Sequence, residues 1–140
     1  MNKNDHELKV KVHSAMYRLI EATGVASPAE VLIAVGVLSK DDYEKWRFGN
    51  IDYLERVCRV NLRKLTLISR EIRAYARKYD LKPSWTDYRK WGKGDNTRLR
   101  FSKSGDENIE KLYATNYVSQ QTVKEAKERR EMRQDKKNQT

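Results

Sequence analysis

The chain has 140 residues and a mass of 16.6 kDa, enough for one domain of ordinary size, with 38% hydrophobic and 36% charged residues. No apolar run approaches the length that spans a bilayer, and the charges spread through residues 1–20 do not read as a signal peptide. The lone cysteine, Cys58, excludes an intrachain disulfide and an all-cysteine metal cluster, and the formal charge of +10 points to polyanions as partners in a reducing cytoplasm.

That charge is unevenly spread. Residues 1–49 are net neutral, and the whole excess belongs to the remainder of the chain. The first element is an amphipathic helix over 5–22. Leu8, Val12, Ala15, Met16, Leu19 and Ile20 form its apolar stripe, and Gly24 stops it. His6 and His13 share roughly one face of it, but the segment supplies too few ligands for a metal site, so both read as surface or half-buried histidines.

Ser27-Pro28-Ala29-Glu30 is a helix start in which Ser27 caps, Pro28 fits the first turn and Glu30 completes a capping box. A second short helix begins at Ser39-Lys40-Asp41-Asp42, runs through Trp46 and ends at Gly49, with Tyr43 and Trp46 packed inward. Residues 31–49 resemble the helix-turn-helix of phage-repressor-like regulators in the Gly36-Val37 turn and the closing Trp46-Arg47-Phe48-Gly49. They depart from it in a turn about one residue long. They also depart in the carboxylates of Lys40-Asp41-Asp42-Tyr43-Glu44, which would face phosphates. An ordinary helical hairpin fits these residues better.

Residues 51–79 contain neither Pro nor Gly and read as one long helix. Ile51, Leu54, Cys58, Leu65, Ile68, Ile72, Tyr75 and Tyr79 fall on a 4/3 alternation, with Asn61 in the one gap. Arg56, Arg59, Arg63, Arg70, Arg73 and Arg77 follow the opposite face. They form a guanidinium rail about 31 Å long at 1.5 Å per residue. Arginine forks onto phosphate oxygens and stacks on bases, which a merely solubilising face of Lys and Glu does not.

Pro83 breaks this helix. Ser84 then caps a short helix through Trp91, with Asp87 at the capping-box position. Trp85, Tyr88 and Trp91 recur every three residues among Arg89, Lys90 and Lys93. Two readings stay open: a core stripe with at least one buried ring, or a stacking platform for single-stranded nucleic acid. After the turn at 92–96, residues 97–102 alternate as a short strand or extended segment. Leu99 and Phe101 point inward, while Arg98, Arg100 and Lys103 point outward together. A last helix runs from Glu107 to about Val118 on a stripe of Ile109, Leu112, Tyr113 and Tyr117.

Five fragments carry a further likeness: Trp46-Arg47-Phe48-Gly49, Tyr53-Leu54-Glu55, Lys82-Pro83-Ser84, the run from Leu99 to Asp106, and Ile109-Glu110. With these the chain resembles an uncharacterised family of small bacterial proteins over roughly residues 28–118. The resemblance implies a bacterial source and a single unit, and it implies no activity or site.

The expected fold is mainly α: a single helical domain over 1–118 packed on one long central helix, with at most one short strand or extended segment. A charged tail over 119–140 is either helical or disordered. No residue pattern suggests an enzyme, a cofactor or a metal. The expected function is binding of nucleic acid, DNA or RNA, with low sequence specificity. Its residues would be Arg56, Arg59, Arg63, Arg70, Arg73, Arg77, Trp85, Arg89, Trp91, Lys93, Arg98, Arg100 and Lys103. The alternative is an interaction or regulatory module that binds an acidic protein or itself.

Overall fold

The computed structural model describes residues 2–139; Met1 and Thr140, the outer limits expected for domain and tail, lie outside them. The described chain is mainly helical: α1 (Lys3–Thr23), α2 (Pro28–Ala34), α3 (Lys40–Arg47), α4 (Leu62–Lys78), α5 (Glu107–Ala114) and α6 (Gln120–Asn138). The helix signals of the first third act as the residue types dictate. Gly24 ends α1 in the left-handed region, at φ 76°, and its N–H bonds Ile20 O at 2.8 Å. Ser27 and Glu30 form the reciprocal capping box, and Ser39 caps α3 through the Asp42 N–H.

α1 and α4 pack side by side and in parallel. Asp5 bonds Arg63 and His13 bonds Glu71, each pair 58 residues apart, so the two helices advance together. Their facing stripes place Val12, Ala15, Met16, Leu65, Ile68 and Ile72 in one core with Leu32, Leu38 and Leu54 of the intervening segment. Each of these side chains larger than Ala15 contributes about 1.5–3 kcal/mol of transfer free energy. The Arg63 fork on Asp5 (2.9 and 3.1 Å) fastens the first turns of both helices. That hydrogen bond, ahead of the opposing effect of burial, holds the Asp5 carboxyl below the usual carboxylate range. A depressed folded pKa stabilises above the unfolded value and is lost as pH falls through the folded one. Asp5→Asn is therefore expected to lower the melting temperature at pH 6 and to leave it nearly level with wild type well below the ordinary aspartate range. Melting curves at both pH values check this, and an unchanged gap at low pH would rule it out.

The expected helix over 51–79 is divided. Only Leu62–Lys78 is α-helical, and Leu54–Val57 is a single 3-10 turn. Asn61, read as a gap in the apolar seam, is the N-cap of α4: its backbone is extended and its side chain accepts from the Lys64 N–H. The residues before it use their backbone donors elsewhere. Leu54 N and Glu55 N bond Arg100 O and Phe101 O at 3.2 and 2.9 Å, and Arg59 N bonds Val37 O at 2.9 Å. A segment whose amides are bonded to distant carbonyls cannot also form an i→i−4 ladder. Tyr79, expected in the seam, is exposed just past the helix end.

More strand is present than expected. β1 (Val25–Ala26), β2 (Lys82–Trp85) and β3 (Thr115–Val118) form an antiparallel sheet in the order β1-β3-β2. Register pairs Val25 with Val118 on one side and Lys82 with Val118 through Trp85 with Thr115 on the other. Pro83 is tolerated because β2 is an edge. The helix expected over 84–91 is absent. Thr86 N bonds Ala114 O, Lys90 N bonds Thr97 O and Leu99 N bonds Tyr88 O, so the chain is extended and Arg89 bridges Arg98. The last core helix stops at Ala114, where Thr115, Tyr117 and Val118 take the β geometry such residues favour. The tail takes the helical alternative: α6 is capped by Ser119, packs only through its first turns and buries no residue.

An aromatic cluster joins these pieces. Trp46 is fully buried, 4.9 Å from Phe101 and 6.0 Å from Tyr88, and Phe101 stacks on Tyr113 at 5.4 Å (ring centroids). No helix is long and apolar enough to cross a membrane among the described residues.

Candidate nucleic-acid interface

The expected arginine rail becomes a shorter stripe. Arg63, Arg70, Arg73 and Arg77 share the outward side of α4, over about 21 Å at 1.5 Å per residue. Leu65, Ile68, Ile72 and Tyr75 occupy its buried side. Charge is not equally free along the stripe. Arg63 is committed to Asp5, and Arg70 Nε lies 4.0 Å from the buried Glu71 carboxylate. Arg73 and Arg77 have no carboxylate within ion-pair distance among the described residues. They lie near the Tyr117 hydroxyl, whose pKa burial raises and these two cations oppose.

Arg56 and Arg59 leave the rail with the 3-10 segment. Arg56 is held at 3.0 Å by Asp52, four residues away. The bonds from Leu54 and Glu55 to Arg100 and Phe101 bring this segment against residues 100–103, and Lys103 N donates to Glu55 Oε1 at 2.9 Å. Arg56, Arg100 and Lys103 thus share one stretch of surface with Asp52 and Glu55, and the Arg100 guanidinium lies 5.1 Å from the Tyr53 ring centre. Nothing in the sequence linked these two stretches.

The aromatic segment divides between the two open readings. Tyr88 is core, at 7% exposure, whereas Trp85 and Trp91 are 54% and 40% exposed. Trp85 ends β2 and lies by Arg98, whereas Tyr88 and Trp91 both meet the Arg47 guanidinium, so the three rings do not form one stripe. Asp87, expected as a capping residue, instead binds Arg89 (2.7 Å) and Arg98 (2.9 Å). Arg89 first, then Arg98, hold its carboxyl below the usual range. One carboxylate offsets only one of these two cations, so the clamp keeps a single net positive charge, and Arg98 also lies 5.5 Å over Trp85. Lys93 is exposed in the glycine turn.

Arg47 is a residue the sequence did not single out. Its guanidinium sits 4.9 Å from the Tyr88 ring centre and 4.6 Å from that of Trp91, and its Nε is buried without a hydrogen-bond partner among the described residues. No local pattern could have found it, because Tyr88 and Trp91 are more than forty residues away in the sequence. Cys58 does not present a reactive thiol: burial first, then the Glu55 charge, push its pKa up to about 12.

No family model matches the chain, and no curated protein and no solved structure is similar enough to match it.

Proposed function

We propose that the chain binds nucleic acid without enzymatic chemistry and with low sequence specificity, by neutralising backbone phosphates. The observation that supports this best is the outward stripe of α4. Arg70, Arg73 and Arg77 lie within two helical turns, and the last two have no carboxylate within ion-pair distance among the described residues. Guanidinium groups so placed fork onto phosphate oxygens along a strand. Arg100 and Lys103 add a smaller area of positive charge, since Asp52 already holds Arg56. Arg89 and Arg98 contribute less, because Asp87 offsets one of their two charges and engages both side chains.

Anisotropy titrations with labelled single- and double-stranded oligonucleotides at about 50 and 200 mM salt test this reading. Binding is expected at low salt and should weaken steeply as salt rises. The triple variant Arg70→Glu, Arg73→Glu, Arg77→Glu is expected to lower low-salt affinity on the order of a hundredfold and to reduce the salt slope by about three. Arg89→Gln should cost less than Arg73→Gln, because Asp87 already engages Arg89. No binding at low salt, or binding indifferent to salt, sinks the proposal.

A second reading, docking of a protein partner or a second copy, is favoured by one observation. Phe48 and Trp91 are both exposed, edge to face with centroids 5.6 Å apart. The α4 seam is not available for that role, since Leu65, Ile68 and Ile72 are buried within the chain. Light scattering on the same samples separates the two readings.

A further inference from the structure

The parallel packing of α1 and α4 leaves a groove of about 690 Å³ along the far side of the pair, roughly opposite the arginine stripe on the α4 wheel. Its walls hold Lys9, His13, Tyr17 and Arg18 from α1, and Tyr75 with Tyr79 from α4 and the residue after it. His6 and the half-exposed Val10 continue the α1 wall toward its start. Tyr17 and Tyr79 are 56% and 53% exposed, high values for large rings lining a concavity.

Three observations describe what this groove accepts. The first is ring geometry. Tyr79 leans on Tyr75 with centroids 4.4 Å apart, and His13 meets Tyr75 edge-on at 5.5 Å, so two of the rings and the imidazole brace one another. Tyr17 has no ring contact among the described residues and presents an open face. The second is charge. The lining residues carry lysine, arginine and two imidazoles and no carboxylate. Glu71 is sealed behind His13 and accepts its Nε2–H at 3.0 Å, which fixes the imidazole in the floor. Glu21 lies close enough to act on Tyr75 but stands outside the lining. The groove between β2 and α5, in contrast, contains Asp87, Glu107 and Glu110. The third is length. Lys9 and Arg18 are nine residues apart, about 13 Å along α1, which is more than one phosphate needs and suits a short run of strand.

We propose that this groove binds nucleotides of a single strand, with a base stacked on Tyr17 against the edge of Tyr79 and flanking phosphates on Arg18 and Lys9. Open aromatic faces among cations are the physical requirement for sequence-tolerant single-strand binding. The ligand class rests on the nucleic-acid reading above; the residues do not, since none belongs to the arginine stripe. Free nucleotide and strand share this chemistry, and the test separates them.

The probes are a fluorescein-labelled tetranucleotide, AMP and inorganic phosphate, titrated at about 50 mM salt. Tyr17→Ala and Arg18→Glu alter exposed groups, and circular dichroism checks that both variants fold. Each is expected to weaken tetranucleotide binding roughly tenfold, and Tyr17→Phe is expected to restore it, because the ring and not the hydroxyl stacks. The double variant Arg73→Glu, Arg77→Glu should leave the tetranucleotide affinity unchanged while weakening long oligonucleotides. AMP binding with the tetranucleotide excluded assigns the groove to a free nucleotide and keeps the stacking chemistry. The proposal is overturned by a wild-type protein that binds neither the tetranucleotide nor AMP, by affinities that Tyr17→Ala and Arg18→Glu leave unchanged, or by inorganic phosphate competing as well as AMP.

Discussion

Trp46→Ala is expected to destabilise the fold by about 3–5 kcal/mol, the range for emptying a large aromatic site in a core. The indole is fully buried, and four rings surround it: Tyr43, Tyr88 and Phe101 directly, and Tyr113 through Phe101. It also closes a polar account. Trp46 Nε1–H donates to Arg100 O at 2.8 Å, across 54 residues of sequence. Removing it leaves a cavity and strips the Arg100 carbonyl of the shorter of its two donors, Leu54 N remaining at 3.2 Å, at the point where α3, the extended 88–101 region and the 3-10 turn meet. For a chain of this size the melting temperature should fall by about 10–15 °C. Urea unfolding is the cleaner measure, read as a lower midpoint at unchanged slope. Trp46→Phe keeps most of the volume and loses only the donor, so it should cost about 1–3 kcal/mol. A smaller effect for alanine than for phenylalanine would contradict this account of the site.

Glu110→Gln is expected to cost about 2–4 kcal/mol, although it changes one atom and no volume. The Glu110 carboxylate accepts three hydrogen bonds from one turn: Phe101 N at 2.8 Å, Ser102 N at 2.7 Å and Ser102 Oγ at 2.6 Å. Such short charge-assisted bonds are about twice as strong as neutral ones. An amide offers one oxygen, so at least one of these donors would face an NH2 group. Ser102 is 1% exposed, and water cannot replace the lost acceptor there. The same turn lends Arg100 O and Phe101 O to Leu54 and Glu55. Loosening it should therefore propagate to the 3-10 segment. Amide exchange at residues 54, 55, 101 and 102 is expected to accelerate more than exchange in α1 or α4. Uniform acceleration across all four regions would show that Glu110 supports global stability only.

How much was legible can be judged from particular residues. Ser27 with Glu30, Ser39, and Gly24 each announced a helix end correctly, because a cap is made within a few residues of its own backbone. The outward arginines of α4 were legible for the same reason, since 3.6 residues per turn is a local rule. Asn61 carried a cap signal too, but the apolar 4/3 pattern continuing on both sides of it concealed the break. The rings at 85, 88 and 91 imitated a helical stripe. Thr115, Tyr117 and Val118 carried strand chemistry that the preceding apolar stripe of α5 overrode.

The grouping of Arg56, Arg100 and Lys103, the Asp5–Arg63 fork, the Asp87 clamp and the tyrosine groove had no comparable signal. Each joins side chains brought together by tertiary hydrogen bonds, in most cases from residues dozens apart. The sequence by itself determined the mainly helical character, the helix ends at Gly24, Ser27 and Ser39, the excess of positive charge and its absence from the first 49 residues, because these depend on local bonding and on counting. Only the tertiary structure decided where the long apolar segment breaks, that three short strands pair into a sheet, and which arginines remain without a carboxylate. Backbone donors at 54, 55 and 59 and carboxylates at 5 and 87 choose partners by proximity in the folded chain, and no periodicity encodes that proximity.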